Sequence, residues 1–268
     1  MKRAIVIGAT SGIGRALAER LAAEGYRVGV TGRREALLEE LAASRPGSFC
    51  YAAADIMDPA AACAALERLA GELGGMDLCV VSAGTGDLNP GLDYALEEPA
   101  IRTNVVGWTA AVDWAYGRFE ERGGGHLVVI TSVGGLRGGG AAPAYNASKA
   151  YQINYAEGLR QRAAKSGLPL PVTDIRPGFV ATEMAKGEGL FWVMPVDRVV
   201  EGIVRAIRRR RSVAVVTRRW RLPAWLIRHM PECCSPPHSS YTCFRATAST
   251  RRRAPMRQRP LPELTRRG

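Results

Sequence analysis

The sequence predicts an α/β protein with a doubly wound, parallel, seven-stranded sheet and helices on both faces. Two observations support this fold class. Short apolar runs alternate with longer segments whose apolar residues recur at helical spacing, which is typical of βαβ units. A glycine-rich turn, residues 8–14, joins the first apolar run to the first helical segment. Together they indicate a single domain of the Rossmann type, followed by a basic C-terminal tail.

Seven apolar runs have the length of buried strands. Segments 14–24 and 34–43 between them carry leucines at helical spacing and are predicted as amphipathic helices. Ligands of such sheets bind beyond the carboxyl ends of the strands, so residues directly after strands are the first candidates for a site. The predicted strands are 3–7, 27–31, 48–53, 78–82, 126–131, 171–176 and 212–217.

Length and composition favour one soluble domain. The chain has 268 residues, 47% of them hydrophobic, and no apolar run approaches the roughly 18 residues of a membrane span. The N-terminal apolar segment is too short for a signal peptide, so we expect a cytoplasmic protein. We predict a nucleotide-binding catalytic domain over 1–217, an amphipathic segment rich in Arg and Trp over 218–232, and a disordered tail over 233–268.

The net charge of +12 is a property of the C-terminal part. From residue 205 onward there are 17 arginines and two acids, which leaves the body slightly acidic. This distribution argues against nucleic-acid binding. Segment 205–228 has two interpretations: an interfacial helix at the inner membrane surface, or a packed helix with solvated arginines at an oligomer interface. Residues 233–268 are either a frame-shift product or a genuine basic tail.

The cysteines indicate no metal site. Their spacings give no paired C-x-x-C set with histidines that would complete a zinc site. Cys50, Cys63 and Cys79 lie in apolar stretches, where we expect reduced thiols that act as small core residues.

The glycine turn predicts a phosphate-binding loop. Gly8 permits a tight turn, Gly12 lets the backbone approach a pyrophosphate, and Gly14 allows close packing of helix on strand. The following helix would offer amide donors and its positive dipole end. Glycine-rich turns also serve as plain connectors, but the position between a strand and a helix favours phosphate binding.

Three residues indicate proton-transfer chemistry. Tyr145 and Lys149 lie one helical turn apart, and an ammonium beside a phenol is expected to lower the phenol pKa. Such a phenol donates a proton to an alkoxide or takes one from an alcohol. Ser132 closes the fifth predicted strand, where its hydroxyl is placed to bind a substrate oxygen. Each residue alone is unremarkable in a helix or turn; the combination is informative.

With these motifs, residues 4–217 resemble the short-chain dehydrogenase/reductase family. The resemblance implies an NAD(P)-dependent oxidoreductase in which Tyr145, Lys149 and Ser132 are catalytic. It implies that Asn104, in Thr-Asn-Val-Val-Gly, bends a helix and holds a water that relays protons to the lysine. One departure is that Val81 and Ser82 replace the paired asparagines that usually precede Ala-Gly.

The resemblance also assigns the cofactor site. The contacts come from the glycine turn, the catalytic helix, the ends of the third and fourth strands and the loop after the sixth. The residues are Gly8, Thr10, Ser11, Gly12, Ile13, Gly14, Asp55, Ile56, Ala83, Gly84, Tyr145, Lys149, Pro177, Gly178, Val180 and Thr182.

The second strand indicates which nicotinamide is bound. No acid follows it to hold a ribose 2′-hydroxyl, and Arg33 is suited to pair with a 2′-phosphate. We predict NADP(H) in preference to NAD(H), which stays open as the alternative cofactor. The other interpretation is that Arg33 and Arg34 are solvated residues at a helix start.

The substrate is predicted only as a class, a carbonyl or alcohol on a small molecule. Segment 190–194 is either an apolar lid over a lipophilic substrate or core packing. Family members commonly assemble, so we expect a homo-oligomer. The alternative function is a catalytically silent nicotinamide-binding regulatory or scaffold protein, since a fold alone does not guarantee turnover.

Overall fold

One parallel sheet organises the protein, whose computed structural model describes residues 2–184 and 192–229. Its strands are β1 (Lys2–Ile7), β2 (Tyr26–Gly32), β3 (Phe49–Ala53), β4 (Leu78–Val81), β5 (His126–Ile130), β6 (Val172–Pro177) and β7 (Val213–Val216). They pair in the order β3-β2-β1-β4-β5-β6-β7, and every pairing is parallel. All seven predicted strands are present with ends within one residue of the prediction, so the predicted fold class is confirmed.

Helices cover both faces of this sheet. They are α1 (Gly12–Ala23), α2 (Glu35–Ser44), α3 (Pro59–Leu73), α4 (Tyr94–Ile101), α5 (Trp108–Glu121), α6 (Pro143–Ser166), α7 (Val196–Arg208) and α8 (Arg221–His229). One core packs α1, α2 and α7 on the sheet through side chains such as Leu17, Leu38 and Ile203. The other packs α3, α5 and α6, with Leu66 and Trp108 among its buried residues. Because helices cover both faces of the central strands, β4 and β5 are buried along their whole length.

The strand order reverses between β1 and β4. The chain leaves β1 toward one edge of the sheet and leaves β4 toward the other, so the two carboxyl ends frame a crevice. Gly8 follows β1 there with a φ of +86°, and a Cβ on it would lie 2.6 Å from the Cα of Ala83 after β4. Only glycine lets the two turns approach this closely.

The chain after β7 packs back onto this body. Trp220 is 1% exposed and lies against Val133 and Ala224, and a Cβ on Gly178 would overlap its ring. Helix α8 follows and leaves Trp225 exposed. Within the described residues no helix is long and apolar enough to span a bilayer.

Buried thiols behave as small core groups. Burial raises the pKa of Cys50 to about 11 and that of Cys79 further still, whereas Cys63 is only half-buried. The predicted tail 233–268 and positions 190–191 of the predicted lid segment 190–194 lie outside the described residues; Trp192 in that segment is half exposed.

Candidate active site

A cavity of about 800 Å³ opens at the carboxyl ends of the central strands. Every site residue predicted from the sequence lines it except Asn104, which lies behind its wall. The described structure therefore brings the glycine turn, Ser132, Tyr145 and Lys149 to a single cavity. Within the described residues no cluster of His, Cys, Asp and Glu is suited to hold a metal ion.

The glycine turn shapes one end of the cavity. A Cβ on Gly14 would overlap the carbonyl oxygen of Gly8, and Gly12 has a φ of +56° with Thr182 just beyond it. Helix α1 begins at Gly12, and the side chain of Ser11 makes no capping hydrogen bond to it. The first backbone amides of α1 are thus without a side-chain cap beside the cavity, which suits an anionic ligand.

Two arginines follow β2 at this end. Arg34 donates to Thr10 Oγ1 at 3.1 Å and to Ser11 Oγ at 2.6 Å, and its guanidinium lies 3.3 Å from the Glu183 carboxylate. Arg33 is exposed and lines the same cavity. The sequence singled out Arg33 alone. Arg34 was missed as a contact of the glycine turn, although its place directly after the strand was a usable signal.

Ser132 and Tyr145 meet at the other end. The amide of Gly134 donates to Ser132 Oγ at 3.0 Å, so the serine proton is free to serve the Tyr145 oxygen, to which the Ser132 side chain is hydrogen-bonded. Burial raises the pKa of Tyr145, and the Ser132 hydrogen bond opposes this. The predicted lowering of that pKa by Lys149 is not found, because burial of the phenol is the largest influence on it.

Lys149 is buried beneath the cavity floor. Its Nζ donates to the Ile130 carbonyl at 3.2 Å and to Gln152 Oε1 at 2.9 Å. Burial lowers the pKa of Lys149 to about 8, and the negative charge of Asp174 works in the opposite direction. With this pKa the lysine is mostly an ammonium at neutral pH and can still exchange a proton with a neighbour.

Asn104 connects three parts of the site. It lies in a π-helical segment, Arg102–Gly107, between α4 and α5, which agrees with the bend that the resemblance implies. Its side-chain amide pairs with the backbone N–H and C=O of Thr85 at 2.8 and 2.7 Å and donates to Ser148 Oγ at 2.9 Å. Its own carbonyl accepts from Gln152. Asn104 therefore fixes the loop after β4 against the helix that carries Tyr145 and Lys149.

Comparison with known proteins agrees with this arrangement. A family model described as short chain dehydrogenase matches residues 2–190, well over half of the chain. The chain belongs to the short-chain dehydrogenase family.

Relatives of this short-chain dehydrogenase cover most of its length. An uncharacterized oxidoreductase of Mycobacterium tuberculosis is 33% identical over 225 residues, 80% of this chain and 88% of the relative. The 3-oxoacyl-acyl-carrier-protein reductase of Escherichia coli is 32% identical over 191 residues, 69% of this chain and 76% of the relative. Among solved structures, the actinorhodin polyketide ketoreductase with NADPH superposes with a TM-score of 0.72 at 25% identity, covering 80% and 95% of the two chains.

The site of this short-chain dehydrogenase fits a dinucleotide. Its glycine turn leaves no room for a Cβ at Gly8 or Gly14, and the first amides of α1 lack a side-chain cap. At Gly84, a Cβ would lie 3.2 Å from Lys149 Nζ, so the lysine reaches the cavity across this glycine. These are the features of a cradle for a pyrophosphate and an adjacent sugar.

Two further residues of the site were missed from the sequence. Trp220 lines the cavity although the sequence placed it in a segment beyond the catalytic domain; its aromatic character directly after β7 was the available signal. Gln152 is fully buried beside Lys149. A glutamine in an amphipathic helix is ordinarily a solvated residue, and no local pattern marked this one as buried.

Proposed function

We propose that this short-chain dehydrogenase transfers hydride between NADP(H) and a carbonyl or alcohol carbon of a small, lipophilic molecule. One observation carries the proposal: Ser132, Tyr145 and Lys149 line the same cavity as the glycine turn at the crevice between β1 and β4. Two of the similar proteins, the 3-oxoacyl-acyl-carrier-protein reductase of Escherichia coli and the actinorhodin polyketide ketoreductase, are named for the reduction of a keto group, which supports the same reaction class.

Each residue has a distinct role in the reduction. Hydride for the carbonyl carbon would be supplied by the nicotinamide when the cofactor is bound. Tyr145 donates its phenolic proton to the developing alkoxide, so that the product is an alcohol, and Ser132 hydrogen-bonds the same oxygen. Lys149 holds a positive charge beneath the phenol and binds the ribose side of the cofactor. In alcohol oxidation the same proton moves in the opposite direction.

The cofactor preference rests on the end of β2. No carboxylate follows that strand to repel a 2′-phosphate, and Arg33 offers a planar set of donors at the cavity rim. The ketoreductase in the comparison is described with NADPH. The proposed lipophilic substrate agrees with the far wall, where Val133, Phe179 and Trp220 line the cavity.

A homo-oligomer in the cytoplasm is also part of the proposal. Helix α4 and the π-helical segment after it present Tyr94, Leu96, Ile101 and Val106 to solvent, with Tyr94 68% exposed. Exposed apolar side chains concentrated in one stretch of the chain favour contact with a second copy. Light scattering of the purified chain checks this; a monomer at micromolar concentration would contradict it.

A carbonyl panel assayed with NADPH tests the function. Turnover is followed by the absorbance of the reduced nicotinamide, with Tyr145→Phe as the decisive variant. That change removes the transferable proton and keeps the ring, so turnover should fall at least ~10²-fold. Tyr155→Phe, on the same helix but away from the cavity, should retain activity. Tight NADPH binding without turnover of any carbonyl would favour the silent binding protein instead.

A further inference from the structure

Gln152 is a fully buried polar side chain beside the catalytic lysine. It lies on α6 three residues after Lys149, so both side chains project from one face of the helix. Burying an amide is costly unless its hydrogen bonds are made. The bonds that Gln152 makes therefore explain what this residue does.

Both ends of the Gln152 amide are satisfied within the site. Oε1 accepts from Lys149 Nζ at 2.9 Å, and Nε2 donates to the Asn104 carbonyl at 2.9 Å. An ammonium has only donors and a carbonyl has only acceptors, so the orientation of the amide is fixed by its two partners. The side chain spans from the lysine to the segment that carries Asn104.

The Asn104 carbonyl is available because the helix around it is π-helical. The N–H of Trp108, which in an α-helix would bond to Asn104, donates to the carbonyls of Thr103 and Val105 instead. The freed carbonyl would be an unsatisfied buried acceptor without Gln152. The buried glutamine thus supplies the donor for the carbonyl that the π-helical segment leaves without a helical hydrogen bond.

Few charged groups surround the lysine. On β6, the carboxylate of Asp174 is held by Arg176 at 2.7 Å and by Thr131 at 2.6 Å. Tyr145 faces the ammonium from α6, with Lys149 Nζ 5.8 Å from its ring centroid. From the π-helical segment and the turn after β4 the neighbours are uncharged, namely Asn104 and Gly84. Among the described groups, Nζ donates hydrogen bonds to Gln152 Oε1 and to the Ile130 carbonyl, which leaves one of its three N–H groups for the cavity.

We propose that Gln152 is a positioning residue: it accepts from Lys149 so that the lysine stays an ammonium with its remaining N–H directed to the cavity, and it ties that ammonium to the Asn104 segment. The inference deepens the proposed function, on which its kinetic part rests. The contact itself is tested without any substrate.

The lysine count makes a direct measurement practical. The chain has four lysines, Lys2, Lys149, Lys165 and Lys186, so ¹³C-lysine labelling gives a simple NMR spectrum, and loss of one signal in Lys149→Arg assigns it. The Lys149 titration is then compared in Gln152→Met, which keeps the shape and removes both hydrogen bonds, and in Gln152→Glu, which adds a negative charge at the same place. Gln161→Met, exposed on the same helix, is the control.

The two variants should shift the Lys149 pKa in opposite directions. Gln152→Met should lower it by about one unit, since an acceptor of the charged form is lost, and Gln152→Glu should raise it by about as much. Gln161→Met should leave it unchanged. An unaltered Lys149 titration in both folded Gln152 variants overturns the proposal, and if one variant does not fold, the other decides by the sign of its shift.

Steady-state kinetics at two pH values distinguish a positioning role of Gln152 from a purely structural one. With a carbonyl that the wild type reduces, Gln152→Met should lose kcat several-fold at pH 8 and recover toward wild type at pH 6, with the KM for the carbonyl little changed. A loss of kcat that is equal at both pH values contradicts the proposal. If the wild type reduces no carbonyl, the proposed function fails, while the NMR titration still decides whether Gln152 governs Lys149.

Discussion

Ser11 Oγ accepts a hydrogen bond from Arg34 Nη2 at 2.6 Å. This contact holds Arg34 across the glycine turn, where it also donates to Thr10 and faces Glu183. Arg33, one residue earlier, has no hydrogen bond or ion pair among the residues that the structure describes, yet it lines the cavity. The two arginines are therefore in different situations, and Arg33 is the one available to an incoming phosphate.

Cofactor preference should depend on Arg33. The wild type should use NADPH at least ten-fold better than NADH in kcat/KM, and Arg33→Ala should remove most of that ratio, about 1.4 kcal/mol of differential binding, with little effect on NADH. Arg45→Ala, at the exposed far end of α2, is the matched control. Equal use of the two cofactors by the wild type would refute the preference.

Replacing glycine by alanine should have opposite effects on the stability of the fold at two positions. Gly14→Ala places a Cβ on the Gly8 carbonyl oxygen and should abolish NADPH binding and destabilise the fold. Gly71→Ala lies in α3 with nothing within 4 Å of the new Cβ and should stabilise by up to about 1 kcal/mol. Thermal unfolding and a binding titration check both. Normal NADPH binding by Gly14→Ala would contradict the role of the glycine turn.

The two tryptophans of the C-terminal segment should contribute unequally to stability. Trp220 is fully buried against Gly178, so Trp220→Ala should cost about 3 kcal/mol or more. Trp225 is 57% exposed, and Trp225→Ala should change stability by no more than about 0.5 kcal/mol. Urea denaturation of both variants measures this. Equal losses would mean that Trp220 is not packed as described.

His126 should make stability fall in mild acid. Burial at the start of β5, helped by the charge of Arg210, lowers its pKa to about 4, and Thr173 Oγ1 lies 2.8 Å from its Nε2. The unfolded chain, with a His pKa near 6.5, binds the proton more readily, so this contribution is complete above pH 6.5 and is lost as the pH falls toward 4. Between pH 7 and 5 the loss should be about 2 kcal/mol smaller in His126→Gln. His229→Gln, at an exposed position, is the matched control.

The sheet could be predicted from the sequence because each strand is marked by a local pattern of apolar residues. Strands such as β4 and β5 are buried on both faces and therefore consist of continuous apolar runs that are visible without any tertiary information. The cavity could be predicted in a similar way, since most of its predicted residues lie directly after strands or in the glycine turn, and Tyr145 and Lys149 lie one helical turn apart. Among the predicted site residues only Asn104 lies behind the wall, because it acts through hydrogen bonds to Thr85 and Ser148 rather than by facing the cavity.

What the sequence did not predict depends on distant parts of the chain. Gln152 is buried because the π-helical segment, nearly fifty positions away, presents a free carbonyl to it. The raised pKa of Tyr145 also follows from tertiary burial, which outweighs the nearby lysine that spacing alone suggested. Trp220 becomes part of the site only because the chain after β7 packs back against Gly178.

The placement of Trp220 bears on how the protein is made. A nascent chain leaves the ribosome from its N-terminus, so the glycine turn emerges early, whereas the indole that closes the opposite wall emerges only after β7. The wall of the cavity opposite the glycine turn is therefore completed late in synthesis, and a chain that stalls before Trp220 would leave Gly178 and Val133 uncovered.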